Sequence, residues 1–182
     1  MTSPTPVLET DRLILRPPQA EDFEPWAAFA ADEEAARHLG GVQDRAIAWR
    51  GICTVSGAWT IRGFSMFSVI EKATGRWVGR LGPWEPEGWP GTEVGWGLSR
   101  DCWGKGYATE GATAAIDWAF DNLGWTEVIH TIEPANLNSR KVAERLGSTI
   151  LRQARMPAPF QDKVLDVWGQ SREQWLARRR GG

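Results

Sequence analysis

The sequence predicts a single α/β domain built around a mixed sheet. Stretches that alternate like β-strands are interleaved with stretches of helical periodicity along the whole chain. The 182 residues, of which 42% are hydrophobic, are enough to bury one sizeable core. No linker-like segment divides the sequence, so we expect one domain over residues 1–182.

The first half of the chain reads as strands and helices in alternation. Pro17 and Pro18 stop the first strand, and Asp22 has the side chain of a helix N-cap. Two later strands lie on either side of a polar turn, which is typical of a hairpin. The predicted elements are strand 10–16, helix 22–31, a helical region from 44 to about 59, strand 64–70, turn 71–75, strand 77–81 and a Pro-, Gly- and Trp-rich loop 83–91.

The second half is predicted to contain the more informative connections. Small residues line one face of a long helix that ends at Asn122, so this helix can lie close to a sheet. Ser139 is in a suitable position to cap a shorter helix. The predicted elements are strand 92–98, a glycine segment at 103–110 that leads into a helix continuing to 122, strand 127–132, a helix from 139, and strands 149–153 and 164–168.

Composition excludes several classes of function. The net charge of −2 gives no electrostatic reason to expect binding to nucleic acid or to an acidic membrane surface. Two cysteines without metal-ligand spacing predict no metal site, and the absence of a signal-like or membrane-spanning apolar run favours a cytoplasmic protein. The basic tail Arg178–Arg180 is expected to be a frayed end.

The segment Trp103-Gly104-Lys105-Gly106-Tyr107-Ala108-Thr109-Glu110 is the best candidate for a binding site. Its two glycines allow a tight turn that brings backbone N–H groups onto one surface, directly before a helix N-terminus. Unpaired first-turn donors and the helix dipole favour a phosphate there. A glycine turn that only connects a strand to a helix remains the alternative.

Two common nucleotide motifs do not fit this loop. A P-loop requires Lys and then Ser or Thr after the last glycine, but Lys105 lies between the glycines and Tyr107 follows them. A dinucleotide-binding fingerprint requires a third glycine where Thr109 stands. An ATP- or NAD-binding protein is therefore the least favoured interpretation.

The chain resembles the GNAT superfamily of acetyl-CoA-dependent N-acetyltransferases. The resemblance rests on the glycine loop, on Asn136-x-x-Ser139, and on the short helix ending in Leu146-Gly147. The opening 8–16 and the closing 166–175 look like the first and last strands of the branch that acetylates ribosomal-protein N-termini. The resemblance implies a mostly antiparallel sheet with a splayed strand pair, flanked by helices, and acetyl-CoA as the cofactor, with CoA as product.

The resemblance also implies where acetyl-CoA binds. The strand before the loop would offer its backbone to the pantetheine arm, with an N–H near Leu98 polarising the thioester carbonyl. The loop would hold the pyrophosphate, although Asp101 stands where the family commonly has Gln or Arg, and Arg100 would supply charge instead. Lys141 and Arg145 could reach the adenosine 3′-phosphate or simply form a solvated basic face. The implied cofactor contacts are Leu98, Ser99, Arg100, Trp103, Gly104, Lys105, Gly106, Tyr107, Ala108, Thr109, Asn136, Ser139 and Arg145.

The resemblance assigns catalysis to Glu93, Asn136 and Ser139. Glu93 is the candidate general base, with an exposed strand-end glutamate as the alternative, and Glu85 and Glu87 as weaker candidates. Asn136 would contact the cofactor or an ordered water. The family often uses a tyrosine to protonate the thiolate, but Tyr107 is the sole tyrosine and lies in the loop, so Ser139 is favoured. His38 and His130 are isolated in the sequence and are not favoured.

The acceptor is predicted to be a primary amine, either a protein N-terminus or a small molecule. An α-amine has a pKa near ~8, against about 10 for lysine, and needs less help from a base. Trp84 and Trp89 in the 83–91 loop are expected to be exposed contacts for the acceptor or for a homodimer. A basic acceptor would call for carboxylates such as Glu85, Glu87 and Glu93. A non-catalytic acyl-CoA sensor on the same fold remains the second hypothesis.

Overall fold

The architecture is an eight-stranded sheet with helices on both faces. The structure is a computed structural model that describes residues 6–181, so both ends of the predicted 1–182 domain lie outside the described residues. The strands are β1 (Leu8–Glu9), β2 (Leu13–Arg16), β3 (Phe67–Glu71), β4 (Trp77–Trp84), β5 (Glu93–Leu98), β6 (Glu127–Ile132), β7 (Thr149–Arg155) and β8 (Val164–Ser171). The helices are α1 (Phe23–Ala31), α2 (Glu33–Ala36), α3 (Arg45–Arg62), α4 (Tyr107–Asn122), α5 (Leu137–Leu146) and α6 (Arg172–Gly181).

The sheet is antiparallel except at one junction. Its strand order is β1-β2-β3-β4-β5-β6-β8-β7, and β5 and β6 are the parallel neighbours. Parallel strands need a crossover, which α4 supplies. The β5–β6 ladder contains one residue pair, Glu93 with Ile129, after which the strands diverge. The predicted mixed, mostly antiparallel sheet with a splayed strand pair is therefore confirmed.

Two large hydrophobic cores occupy the two faces of the sheet, and a third, small cluster contains Ile132, Ala143 and Trp168. Side chains alternate between faces along a strand, so Phe67 and Val69 of β3 pack in the core under α4, whereas Met66 and Ile70 face α1 and α3. Gly111 brings α4 close to the sheet, because a Cβ there would lie 2.5 Å from Leu81 Cδ2. The splayed strands are thus held between two independently packed layers.

The two ends of the chain differ from the sequence prediction. The opening segment is a hairpin of β1 and β2 rather than one strand, since Thr10 Oγ1 accepts a hydrogen bond from Leu13 N (3.0 Å) and turns the chain. The closing segment 172–175 belongs to helix α6, which Ser171 and Gln174 cap reciprocally. Arg178–Arg180 is therefore helical rather than frayed.

Two internal predictions also need correction. Strand β4 continues through Trp84, so the predicted loop 83–91 begins two residues later. Asp22 is buried, and its side chain pairs with Arg16 (2.7 Å) instead of capping α1. None of the helices between residues 6 and 181 combines the length and apolarity needed to cross a membrane.

Candidate functional site

The gap between β5 and β6 exposes backbone groups of β5. Ser99 N donates to Val78 O (2.9 Å), so the hydrogen bonds of Ser99 face β4. Because neighbouring residues of an antiparallel strand point their peptide groups to opposite sides, the N–H groups of Leu98 and Trp96 face the gap. Trp103 borders it, since its indole Nε1 donates to Leu98 O (2.9 Å). The gap therefore offers unpaired backbone donors from β5.

His130 of β6 lies next to the one paired position of β5 and β6, where the two strands begin to separate. Its Nδ1 lies 2.7 Å from Val94 O, and its Nε2 lies 3.0 Å from Ser148 Oγ. Burial lowers the pKa of His130 to about 4, so the ring is neutral at physiological pH. A neutral ring that donates from Nδ1 bonds Val94 O in place of a β6 N–H. The His130 side chain thus lies between the two strands and takes the place of a backbone hydrogen bond between them.

The glycine loop follows β5 and has an open surface. Gly104 and Gly106 have φ values of +76° and +82°, which side-chain-bearing residues rarely adopt. A Cβ at Gly104 would meet no atom within 4 Å. The hydroxyl of Thr109 is buried without a hydrogen-bond partner, and α4 begins with no side-chain cap. Uncapped N–H groups, an orphaned hydroxyl and free space above the loop fit a bound pyrophosphate.

Arg12, which lies outside the loop, holds it in position. Its Nη1 donates to Lys105 O (2.9 Å), and its Nε donates to Glu110 Oε2 (2.7 Å). The guanidinium also stacks 4.7 Å from the centre of the Tyr107 ring. Glu110 accepts from Thr10 Oγ1 as well (2.6 Å), so the β1–β2 turn and the first turn of α4 form one unit. Sequence reasoning missed Arg12 because it lies 92 residues before Gly104.

The charged residues before the loop are paired away from its surface. Arg100 Nε lies 3.6 Å from Asp32 Oδ2, and Asp101 Oδ2 lies 2.7 Å from Arg76 Nη1. The predicted charge from Arg100 is therefore partly neutralised. Lys105 is exposed, whereas the Tyr107 hydroxyl is buried and donates to Glu71 Oε1 (2.7 Å).

The remaining predicted cofactor residues are spread along two helices. Ala108 is half-buried in the first turn of α4. Arg145 is exposed in the last turn of α5, and its backbone carbonyl accepts a hydrogen bond from Arg178. Lys141, one turn earlier in α5, is exposed as well.

A cavity of about 530 Å³ lies between the sheet and α1–α3, and reaches the edge of the gap. Its walls are largely apolar and include Trp26, Phe29, Leu39, Trp84, Trp89 and Phe160. Trp84 and Trp89 are half-buried and pack edge to face, with ring centres 6.5 Å apart, so the prediction that they are exposed was wrong. Trp96, Asn136 and Ser139 border both this cavity and the gap.

Glu93 lies buried in the cavity wall, which excludes the exposed strand-end alternative. Its carboxylate accepts hydrogen bonds from Thr131 N (3.1 Å), Thr131 Oγ1 (3.0 Å) and Trp89 Nε1. Burial raises the pKa of Glu93 to about 7, although these hydrogen bonds and Arg80 oppose the increase. A carboxyl group with this pKa can take up a proton near neutral pH.

Asn136 and Ser139 lie together at the start of α5. Asn136 Oδ1 accepts from Ser139 N (3.1 Å), so Asn136 is the N-cap, and the prediction that Ser139 caps this helix was wrong. The helix begins at Leu137, two residues earlier than predicted. Ser139 Oγ accepts from Trp96 Nε1 (3.2 Å), which leaves its own proton available for donation.

A second titratable cluster borders the cavity. Glu133 accepts from Lys163 Nζ (2.5 Å) and lies 2.7 Å from His38 Nδ1. Burial alone would raise the pKa of Glu133, but these partners hold it below its usual value. Glu87 also borders the cavity, whereas Glu85 is paired with Arg62 (2.9 Å). Glu133 could have been noticed from its position at the end of a predicted strand, but nothing in the sequence links it to His38.

Comparisons with known proteins agree on the family. The family model described as an acetyltransferase (GNAT) domain matches residues 12–149. An acetyltransferase structure from Agrobacterium tumefaciens str. C58 is 31% identical, with a TM-score of 0.81, and the match covers 93% of this chain and 96% of that one. A relative named uncharacterized N-acetyltransferase p20, from Bacillus licheniformis, is 28% identical over 143 residues, which are 77% of this chain and 80% of the relative.

More distant structures share the fold. The structure of Mycobacterium smegmatis RimJ in complex with CoA-disulfide has a TM-score of 0.67 at 18% identity, covering 92% of this chain and 90% of that one. Ribosomal-protein acetyltransferases also occur among the solved structures of this fold, at 22% and 16% identity. The family match over most of the chain and the splayed, loop-bearing fold lead to the same conclusion: the chain belongs to the GNAT family of acetyltransferases.

Proposed function

We propose that this protein transfers the acetyl group of acetyl-CoA to a primary amine in the 530 Å³ cavity, by direct attack in a ternary complex. The observation that carries the proposal is the position of Glu93. Its buried carboxyl group, with a pKa of about 7, borders a cavity that ends at the unpaired backbone of β5. A base and an acyl-binding edge that meet in one cavity are what amide formation requires.

The open surface of the glycine loop supports a site for the CoA pyrophosphate. The backbone N–H groups from Gly104 to Thr109 and the Thr109 hydroxyl would hold it, and Arg12 would keep the loop in shape. The Leu98 N–H would polarise the thioester carbonyl. When bound, acetyl-CoA supplies the thioester carbon that the amine nitrogen attacks, so the C–N bond forms and the C–S bond breaks.

Two protons move during this reaction. Glu93 would accept the proton that the amine loses, directly or through one water. Ser139 would donate to the leaving thiolate, since its hydroxyl proton is not used by Trp96. Asn136, whose side-chain oxygen caps α5, would orient Ser139 at the junction of cavity and gap.

The acceptor is either a small molecule or a protein N-terminus. The largely apolar walls favour an acceptor, or an acceptor segment, with hydrophobic surface. A cytoplasmic location and a homodimer stay predictions. Both cysteines, Cys53 and Cys102, are free thiols, which suits a reducing compartment.

The first test combines binding with turnover. Titration calorimetry with acetyl-CoA, CoA and ATP should give tight binding of both CoA species and little binding of ATP. The rate of CoA release with a panel of primary amines should then rise with pH through an acid limb near pH 7, as Glu93 loses its proton. The Glu93→Gln variant should lose about 10²–10⁴-fold in kcat/KM. Its pH–rate profile should no longer show the rise near pH 7.

The outcomes separate the two candidate functions. Tight CoA binding without turnover of any amine would favour the non-catalytic sensor. Absence of CoA binding would remove the proposed site altogether. Glu127→Gln, an exposed glutamate at the start of β6, is the matched control and should keep wild-type activity.

A further inference from the structure

Arg80 of β4 is a cation in the cavity that forms no ion pair with a carboxylate of residues 6–181, although Glu93 acts on it at longer range. Arg80 pairs with Gly97 of β5, on the same face of the sheet as Glu93 and Gly95, and it borders the cavity. Its Nη1 donates to Met66 Sδ (2.7 Å), and its guanidinium lies 5.3 Å from the centre of the Trp26 ring. A thioether is a weak acceptor and an aromatic face is not an anion.

The contrast with Arg16 indicates what Arg80 lacks. Arg16 is also largely buried, and Asp22 accepts from both of its terminal nitrogens (2.7 and 2.9 Å). Within residues 6–181, no carboxylate lies within 4.0 Å of Arg80. The other guanidinium nitrogens of Arg80 have no protein acceptor there and are not sealed from the cavity. Burial lowers the pKa of Arg80 to about 10, which still leaves it charged at neutral pH.

The two carboxylates of the cavity that are withdrawn from solvent are already satisfied by other donors, whereas Glu87, which also borders the cavity, is exposed. Glu133 accepts from Lys163 and His38, and Glu93 accepts from Thr131 and Trp89. A polyamine would therefore find few spare anions in this cavity, whereas an anion would find a guanidinium with free N–H donors. The cavity therefore lacks an anion that could pair with Arg80.

Arg80 and Glu93 lie close enough to contact one small molecule. Met66 stands between them: its Sδ is 2.7 Å from Arg80 Nη1, and its Cε is 3.1 Å from where a Cβ of Gly95 would be. Glu93 Oε1 is 3.3 Å from that same position. The apolar walls beside them include Trp26, Trp84 and Phe160.

We infer that the acceptor is a small amino acid-like molecule whose carboxylate binds Arg80 and whose amine faces Glu93. The inference rests on the proposed acetyl transfer and narrows its substrate class. It separates a free amino acid from the N-terminus of a protein, whose first residue has no free α-carboxylate. Aromatic and aliphatic amino acids suit the walls of the cavity best.

The test compares each amino acid with its carboxamide. CoA release is measured with aromatic, aliphatic and ω-amino acids, each paired with the corresponding amide. A charge-assisted hydrogen bond to Arg80 is worth about 1.5–3 kcal/mol, so the best acid should exceed its amide about 10- to 150-fold in kcat/KM. Arg80→Met should remove this preference through a higher KM for the acid, while the amide changes little. Arg80→Lys should retain part of it.

Controls keep this inference distinct from the proposed function. Arg172→Met, at an exposed arginine that does not line the cavity, should keep the acid-to-amide ratio. Calorimetry with N-acetylated amino acids and their amides measures the same preference without turnover. Turnover of amines with no acid preferred over its amide, or an unchanged ratio in Arg80→Met, would overturn the inference alone. Failure of every amine to react, with N-acetyl acids still bound through Arg80, would overturn only the catalytic proposal.

Discussion

The glycine loop and the acceptor cavity are built in opposite ways. The loop is one continuous segment, residues 103–109, and its binding groups are backbone N–H donors on an open surface. The cavity is assembled from side chains of α1–α3, of three central strands and of residues 156–165, and it is partly open to solvent. From distant parts of the chain, Arg12 donates to the backbone of the loop, and Glu71 accepts from the hydroxyl of Tyr107.

This difference separates what the two regions can recognise. Backbone N–H donors at a helix N-terminus bind a pyrophosphate in the same way whatever the side chains are. Such a loop can therefore serve a whole family of proteins. Side chains such as Arg80 and Glu93 differ from protein to protein and can select one acceptor. Variants of the two regions should therefore fail in different assays, the loop in cofactor binding and the cavity in acceptor selection or pH dependence.

The largest expected effect is on the loop. Gly106→Trp should weaken acetyl-CoA binding about 100-fold or more, equivalent to about 2.7 kcal/mol, because the indole would displace Arg12, whose Nη2 lies 3.5 Å from the Cβ position, and would crowd the loop proposed to hold the pyrophosphate. Titration calorimetry measures the loss. The φ of +82° also strains a tryptophan at this position, which should cost about 1–2 kcal/mol of stability.

A matched variant separates strain from lost binding. Gly124→Trp, after the end of α4, has a similar φ of +66° and open space around its Cβ position. It should lose similar stability and keep normal CoA affinity. A folded Gly106→Trp protein that binds acetyl-CoA normally would mean that the pyrophosphate site lies elsewhere.

The next effect concerns the cavity and depends on pH. Burial raises the pKa of Glu93 from 4.5 to about 7, so the folded state binds more protons than the unfolded state between these pH values. Stability from this group therefore falls as pH rises through the window. Above about pH 7 the ionised carboxylate costs about 3 kcal/mol. Glu93→Gln should recover this energy at pH 8.5 but not at pH 4.5, as measured by urea unfolding at both pH values.

The difference in stability between wild type and Glu93→Gln reports on Glu93 and not on His130, which also titrates with a shifted pKa. The pKa of His130 is lowered to about 4, so its contribution to stability rises with pH between about 4 and 6.5, opposite to that of Glu93. Both proteins contain His130, so it cancels in the difference between them. A Glu93→Gln protein whose stability relative to wild type does not change with pH would contradict the raised pKa.

The smallest effect distinguishes the two polar residues of α5. Asn136→Ala should lose about 1 kcal/mol by removing the N-cap, or about 2–4 °C in Tm, whereas Asn136→Asp should retain the cap. Ser139→Ala should lose less, because its backbone N–H still donates to Asn136. Differential scanning calorimetry gives the order, and a larger loss in Ser139→Ala would reverse our assignment of the cap.

The sequence predicted the loop better than the cavity for a physical reason. The loop signal is local: two glycines, a strand before them and a helix after them. The order of strands and helices was also largely correct, because each element has its own periodicity. Helix α6 was missed although Ser171 and Gln174 form a readable capping pair, because a strand was expected there.

The cavity could not be read in the same way. Arg80 and His38 carry no local signal, and each acquires its environment from residues far away in sequence, such as Met66 and Glu133. Glu93 was found only through its position before the loop. Its burial and its raised pKa depend on Trp89 and Thr131, which lie beside it only in the folded chain.

The single residue pair between β5 and β6 has a consequence for how the protein holds together. It divides one sheet into a five-stranded and a three-stranded part, each with its own ladder of hydrogen bonds. Glu93 with Ile129, and His130 with Val94, are the narrow seam that joins them. Any molecule that forms hydrogen bonds with both β5 and β6 supplies the hydrogen bonds that these two strands do not make with each other. Binding of such a molecule should slow amide exchange in both parts together. It would add hydrogen bonds across the gap to the hydrophobic core that already joins Val94 of β5 to Val128 of β6.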